Sequence, residues 1–168
     1  MKEIQLSQGK VALVDDADFD FLNQFKWCAK KGRQTFYATR RDYYSDGVYN
    51  DLGKSIVMHR VILGLNDSKV FCDHKDGNGL NNQRENLRVA TNGQNMANKK
   101  SHINSQSKYK GVSRMKNRKG EYVYWLARVQ FNKISKNLGI FKTELDAAIA
   151  YNKAAIELHG EFANLNKF

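Results

Sequence analysis

The chain of 168 residues is 41% hydrophobic and 11% aromatic, which allows one ordinary domain or two small ones and excludes a large two-lobed enzyme. No apolar run approaches the ~20 residues that span a bilayer, and the opening MKEIQLSQGK has no apolar signal-peptide core. A cytoplasmic protein with no membrane partner is therefore expected. The formal charge of +11 is concentrated: residues 99–142 hold 12 Lys and Arg against one acid, residues 1–98 hold 14 against 12, and residues 143–168 hold two against four.

In chain order, Lys10–Val14 reads as a strand. Asp16 or Asp18 can cap a helical turn running through Phe21, Leu22 and Phe25. Trp27–Lys30 and Thr35–Arg41 read as strands joined by a turn at Lys31-Gly32-Arg33, and Ile56–Met58 as a third strand after a polar loop. His59–Leu65 suits a short helix closed by Gly64 or Asn66. The next ~31 residues read as strand (Val70–His74), Gly/Asn/Asp-rich loop (Lys75–Asn86), strand (Leu87–Thr91) and helix (Asn92–Lys100). KKSHINSQSK, residues 99–108, has almost no apolar content and reads as a linker. Beyond it, Tyr109–Met115, Tyr122–Phe131 and Ser135–Phe141 alternate as strands. Thr143 then caps a helix from Glu144 to His159 that stops at Gly160. Val123, Trp125, Ala127, Val129 and Phe131 share one strand face, which is expected to pack on Ala147, Ala148, Tyr151, Ala154, Ala155 and Leu158 of that helix. The opposite sheet face is expected to be open, polar and basic. Because the cations of this segment alternate with aromatics, they belong to a folded surface, and nucleic acid is favoured over a membrane as its partner.

Cys28 and Cys72 are too far apart for a Cys-x-x-Cys motif and read as small apolar residues. The chemistry gathers elsewhere. Asp73-His74 ends a strand, Asn86 follows the loop, and Asn95 lies in the next helix. Metal-assisted phosphodiester cleavage needs oxygen ligands for a hard cation and a neutral imidazole to take a proton from water. Asp73 and Asn95 supply such oxygens, and His74, with an ordinary pKa of about 6.5, can serve as base. His59 is open between a structural role beside Arg60 and substrate contact, while His102 and His159 are read as non-catalytic.

Over residues 58–98 the motifs MHRVILG, D-H, D-G-N-x-L-x-N, E-N-L-R-V-A-T and Q-N-x-x-N resemble the HNH endonucleases of ββα-metal fold, in particular homing endonucleases of phage introns. The resemblance implies His74 as general base, Asp73 and Asn95 as metal ligands, and Asn86 as the residue that pins the loop and orients the imidazole. One carboxylate and one amide favour magnesium or manganese over zinc. Over residues 109–166, Y-K-G-V, L-G-x-F, A-A-x-A-Y-N-x-A-A and G-x-x-A-N-L-N resemble the APETALA-type DNA-binding domain of plant ethylene-response factors. There a three-stranded sheet enters the major groove. The DNA-facing positions would be Lys110, Ser113, Arg114, Arg128, Gln130, Ser135 and Asn137. Several guanine-reading arginines of the plant proteins fall on Ser113, Met115 and Ser135, so the plant target does not transfer.

The expectation is an α+β protein: an HNH endonuclease domain with an N-terminal β-rich extension over residues 1–98, a linker over 99–108, and a three-stranded antiparallel sheet packed on one helix over 109–168. It would be a site-preferring, metal-dependent endonuclease of double-stranded DNA, encoded by a phage or mobile element and acting in the host cytoplasm. A monomer is slightly favoured and no protein partner is implied. The rivals are a nuclease-inactive DNA-binding regulator, which the intact Asp73, His74 and Asn95 set opposes, and an RNA-binding module, which lacks a clear aromatic stacking motif.

Overall fold

The structure, a computed structural model, describes residues 1–45, 48–99 and 105–168. His102 and half of the expected linker, residues 100–104, lie outside the described residues, and so does the side chain of Val123. The chain is mixed α/β and divides into two compact units, Met1–Ala90 and Thr91–Phe168. No helix among the described residues is long and apolar enough to cross a membrane.

In the first unit, β1 (Lys2–Gln5) pairs antiparallel with β2 (Val11–Val14), and their alternation places Ile4, Ala12 and Val14 inside. Helix α1 (Asp16–Leu22) is shorter than expected. Its last turn closes with Asn23 N–H on Phe19 O, which leaves Phe25 and Trp27 to meet edge-on beyond it. Strands β3 (Cys28–Lys31), β4 (Phe36–Ser45) and β5 (Val48–Val57) form an antiparallel sheet in that order. β1 and most of β5 go beyond the sequence reading. β5 looked like a polar loop because it is held by its long pairing with β4 rather than by apolar alternation. Helix α2 (Met58–Ile62) follows directly. The core joins Ile4, Val14, Leu22, Trp27, Met58, Ile62 and Leu87. Only a few members of that core come from the loop-bearing segment beyond residue 70, so the N-terminal region is the scaffold on which β6 (Phe71–His74) and β7 (Leu87–Ala90), an antiparallel pair, rest.

In the second unit, helix α3 (Asn92–Asn98) begins with a capping box in which Thr91 and Gln94 satisfy each other's backbone N–H. β8 (Val112–Lys116), β9 (Tyr122–Phe131) and β10 (Ile134–Phe141) form an antiparallel sheet with β9 central. One of its faces packs on α4 (Glu144–His159), which the Thr143 side chain caps through Asp146 N–H. Ala127, Ala147, Ala148 and Ala155 are fully buried where sheet and helix meet, so small side chains let the backbones approach. Gly111 shows how closely: it sits at φ +74°, and a Cβ there would run into the Tyr151 ring. The closing A-N-L-N is a clasp. Asn166 bonds both backbone groups of Lys110 and is itself held by Asn152, while Asn164 donates to Asn98 O at the end of α3.

Candidate active site

The sequence Asp73-His74 ends β6, with its partners Arg88 and Leu87 opposite on β7. Both side chains are buried, Asp73 at 5% exposure. A buried carboxylate needs a counter-charge, and Arg88 provides it, placing Nη2 at 2.7 Å and Nε at 2.9 Å from Asp73 Oδ2.

The loop from Lys75 to Asn86 is built from side-chain bonds rather than secondary structure. Asn86 accepts from Asp76 N–H at 3.1 Å, and its amide donates to Asp76 Oδ1 at 3.0 Å and to Asn81 O at 2.8 Å. Asp76 also receives Asn78 N–H and the Asn81 amide. The loop docks on β2 through Leu13 N–H to Leu80 O and Asn82 N–H to Leu13 O, and on α1 through Arg84 to Asp15 and Asp18. Asn86 therefore ties the two ends of the loop together.

The side chain found at the His74 Nε2 is a different one: Asn82 Oδ1, at 3.4 Å, from a residue with no exposed surface. An acceptor there selects the tautomer with the proton on Nε2. Asn82 is the last letter of D-G-N-x-L-x-N, so the sequence carried the residue, although the reading gave orientation of the ring to Asn86. Two further rings wall the imidazole: His59 at 5.0 Å and Tyr37 at 5.9 Å between centroids, themselves 5.9 Å apart. Tyr37 reaches this place because residue 79 is glycine. A Cβ at Gly79 would stand 2.5 Å from Phe36 O and 2.6 Å from the Tyr37 ring.

Burial sets the electrostatics. It lowers the His74 pKa below its ordinary value, against the opposing effects of Asn82, Asp76 and Asp73. It pushes His59 down to about 3, with His74 and Arg60 adding to the shift. Burial also raises Tyr37, and lifts Cys72 to about 11. His74 is thus a neutral, hydrogen-bonded imidazole at neutral pH. His59, whose Nδ1 is buried without a partner, turns toward that ring, while Arg60 serves the backbone, donating to Leu65, Asp67 and Val70 carbonyls. Tyr37, Asn82 and Arg88 had no place in the sequence reading of the site. A tyrosine 36 positions ahead of Asp73 carries no local signal.

Asn95 lies on α3, which belongs to the second unit. The end of that helix is held by Lys110 Nζ on Ala97 O and by Asn164 on Asn98 O. Among the described residues, no three His, Cys, Asp or Glu side chains gather as a metal-binding group.

Of the expected DNA-facing residues, strand register places Ser113, Arg128, Gln130, Ser135 and Asn137 on the sheet face away from α4, all exposed. Arg114 is not among them. It pairs with Trp125, on the α4 side, and its guanidinium lies 5.1 Å from that ring. Lys110 lies ahead of β8, is only partly exposed, and is lowered to about 8 by burial. Arg128 is the cation that strand alternation puts in the middle of the open face. Leu126 lies on that face but is buried.

No protein-family model matches the chain. No solved structure matches it. An uncharacterised HNH endonuclease of Acanthamoeba polyphaga mimivirus is 34% identical over 166 residues, an alignment that covers 95% of this chain and 76% of the viral protein. An identity of that level along nearly the whole length, together with the buried Asp-His pair and its asparagine-built loop, makes this chain a member of the HNH endonuclease family.

Proposed function

We propose that the protein is a site-preferring DNA endonuclease of the ββα-metal type, with the habits of a homing endonuclease, that hydrolyses phosphodiester bonds with one divalent ion and a histidine base. The observation that carries this reading is the environment of His74: a buried, neutral imidazole, bonded to Asn82 and walled by His59 and Tyr37, next to a salt-bridged carboxylate. In the reaction the imidazole nitrogen that does not face Asn82 takes a proton from water as the water oxygen attacks phosphorus, and the 3′ oxygen leaves. Asn82 fixes the tautomer, and Asn86 keeps the loop closed.

The donors suit a hard cation: the Asp73 carboxylate, with one oxygen engaged by Arg88, and the Asn95 amide are oxygen ligands of the sort that magnesium or manganese takes. When bound, the ion would polarise phosphate and stabilise the departing oxygen. The open face of β8–β10 is the proposed docking surface for double-stranded DNA, in the manner of an APETALA-type domain, with Arg128 reading a base edge and Gln130, Ser113, Ser135 and Asn137 around it. The proposed division of labour gives residues 1–98 to cleavage, 99–108 to the linker and 109–168 to binding. The charge distribution supports it, since residues 99–142, which carry the sheet, hold 12 of the 28 Lys and Arg and one of the 17 acids.

The test is to incubate the protein with phage DNA and magnesium and to map the breaks at nucleotide resolution. Cuts at a preferred site that vanish with chelator and with His74→Ala are the expected result. Undamaged DNA under all metal conditions would instead leave a DNA-binding regulator.

A further inference from the structure

In the first unit, the sheet β3–β4–β5 has one face in the core, through Ala29, Ala38 and Ile56. The register puts Cys28, Thr39 and Val57 on the other face, together with Lys30 opposite Tyr37 and Arg41 opposite Ser55. Asp42, by alternation, falls on the core side. The outer face thus sets two cations, Lys30 and Arg41, among the apolar side chains of Cys28, Tyr37 and Val57, and it runs toward the His74 site. On it there is a cavity of about 290 Å3, whose floor is mainly apolar, from Tyr37, Val57 and Gly32, and whose polar groups come from Lys30, Lys31, Thr39, Ser55 and His59. Among the described residues, no carboxylate lines it.

Two of those walls are shared. Tyr37 and His59 line the cavity and also pack against the His74 ring, at 5.9 and 5.0 Å between centroids. A group held in the cavity therefore lies one side chain away from the base. The lining selects its chemistry. Lysine ammonium groups are compact point charges suited to phosphate oxygens, the Ser55 hydroxyl can donate alongside them while that of Thr39 is held by the Cys28 carbonyl, and the absence of an acid disfavours a cation. Lys30 and Lys31 are exposed on the rim, so they meet a ligand that passes over the surface, as a nucleic-acid strand does, rather than one sealed inside.

We propose that this cavity is a second phosphate subsite, which takes the backbone phosphate next to the one that is cut, with Lys30 and Lys31 as its cations. The inference rests on the endonuclease reading above and extends it: the strand would be fixed at two adjacent phosphates, one at His74 and one here, so that its position along the cut is set by the N-terminal sheet and not by the second unit alone.

The experiment uses the full chain and duplexes carrying the mapped cut site, in which single phosphates around the cut are replaced by neutral methylphosphonate. Binding and single-turnover cleavage are measured for the parent, Lys30→Ala/Lys31→Ala and Lys30→Arg/Lys31→Arg. In the parent, one phosphate beside the cut should be sensitive, with affinity falling about tenfold on its neutralisation, as expected for a lost phosphate contact. The alanine double variant should lose a similar factor on unmodified DNA, lower the log-log salt slope by about 1 to 2, and become insensitive to that one replacement while staying sensitive elsewhere. The arginine variant should restore the parental pattern. If every phosphate matters equally to parent and alanine variant, or the alanine variant binds like the parent, the subsite does not exist. If no cut can be mapped, the same single replacements are scanned along a duplex that the protein binds, so a protein that shows one Lys30- and Lys31-dependent phosphate but never cuts would sink the nuclease reading and keep the subsite. Both lysines are exposed, and an unchanged melting temperature confirms that the fold is intact.

Discussion

In Met1–Ala90 the residues proposed for chemistry are buried and each is bonded to a polar neighbour, whereas in Thr91–Phe168 those proposed for binding are exposed and half of the positions buried between sheet and helix are alanines. A buried polar network carries function and stability in the same bonds, because each group removed leaves another unsatisfied in a low-dielectric interior. An open sheet face separates the two: its side chains can change while Ala127, Ala147 and Ala155 keep sheet and helix together. Substitutions in the first unit should therefore move activity and stability at once, and those on the open face should move affinity alone.

The largest effects belong to Asp73 and His74. His74→Ala should lower single-turnover cleavage by at least ~10² with DNA affinity nearly unchanged. Asp73→Ala should abolish cleavage and also destabilise by about 3–5 kcal/mol, because Arg88 loses its ion pair while its side chain is only 11% exposed. The companion Asp73→Ala/Arg88→Ala should recover most of the stability in urea melts and none of the activity. Full activity of Asp73→Ala would remove the carboxylate from the mechanism.

Next is Gly79→Ala. Its methyl group would meet the Phe36 carbonyl and the Tyr37 ring, and an overpacked site of this kind costs about 1–3 kcal/mol. Since Tyr37 also walls the imidazole, cleavage should fall with stability. A variant as stable as the parent but inactive would mean that the loop, not Tyr37, is what the glycine protects.

These two cases also mark what the sequence could show. Asp73, His74 and Asn86 were legible because order and spacing carry them, and α4 was legible from cap to stop because its pattern is local. The ring contacts to His74 were not, since Tyr37 arrives through the pairing of β4 and the absence of a side chain at residue 79, both consequences of tertiary packing. β5 was missed for a related reason: Val48–Lys54 is polar, and only its partner strand makes it a strand. On the second sheet the difference between Arg114 and Arg128 depends on register, which a list of basic residues does not contain.

That difference gives the cleanest test of the exposed unit. Arg128→Ala should cost ~1–3 kcal/mol on the preferred site and less on random sequence, the mark of an arginine reading a base edge. Equal losses on both would make Arg128 a phosphate contact. Arg114→Ala should leave site preference untouched and cost about 0.5–1 kcal/mol of stability, because the guanidinium stacks on Trp125 rather than facing the partner.

The smallest effect is a pH dependence at Lys110. Burial lowers its pKa from 10.5 to about 8, so between those values the unfolded chain holds a proton that the folded chain has released, and stability rises with pH across that window. Below pH 8 both states are charged and the cost of burying the ammonium is fully present. Above 10.5 it is gone. Urea melts of the parent and Lys110→Met from pH 7 to 10.5 isolate the contribution, because every other group titrates in both proteins and cancels in the difference. The parent should gain stability relative to the variant as pH rises, by a modest amount, since the side chain is partly exposed and the solvent screens it. A difference that stays flat would mean that Lys110 is not desolvated. DNA binding then decides whether Lys110 also meets a phosphate: its Nζ is engaged by the Ala97 carbonyl, so Lys110→Met should leave the salt slope of binding unchanged, and a fall of about 1 would show that the lysine leaves α3 for the nucleic acid.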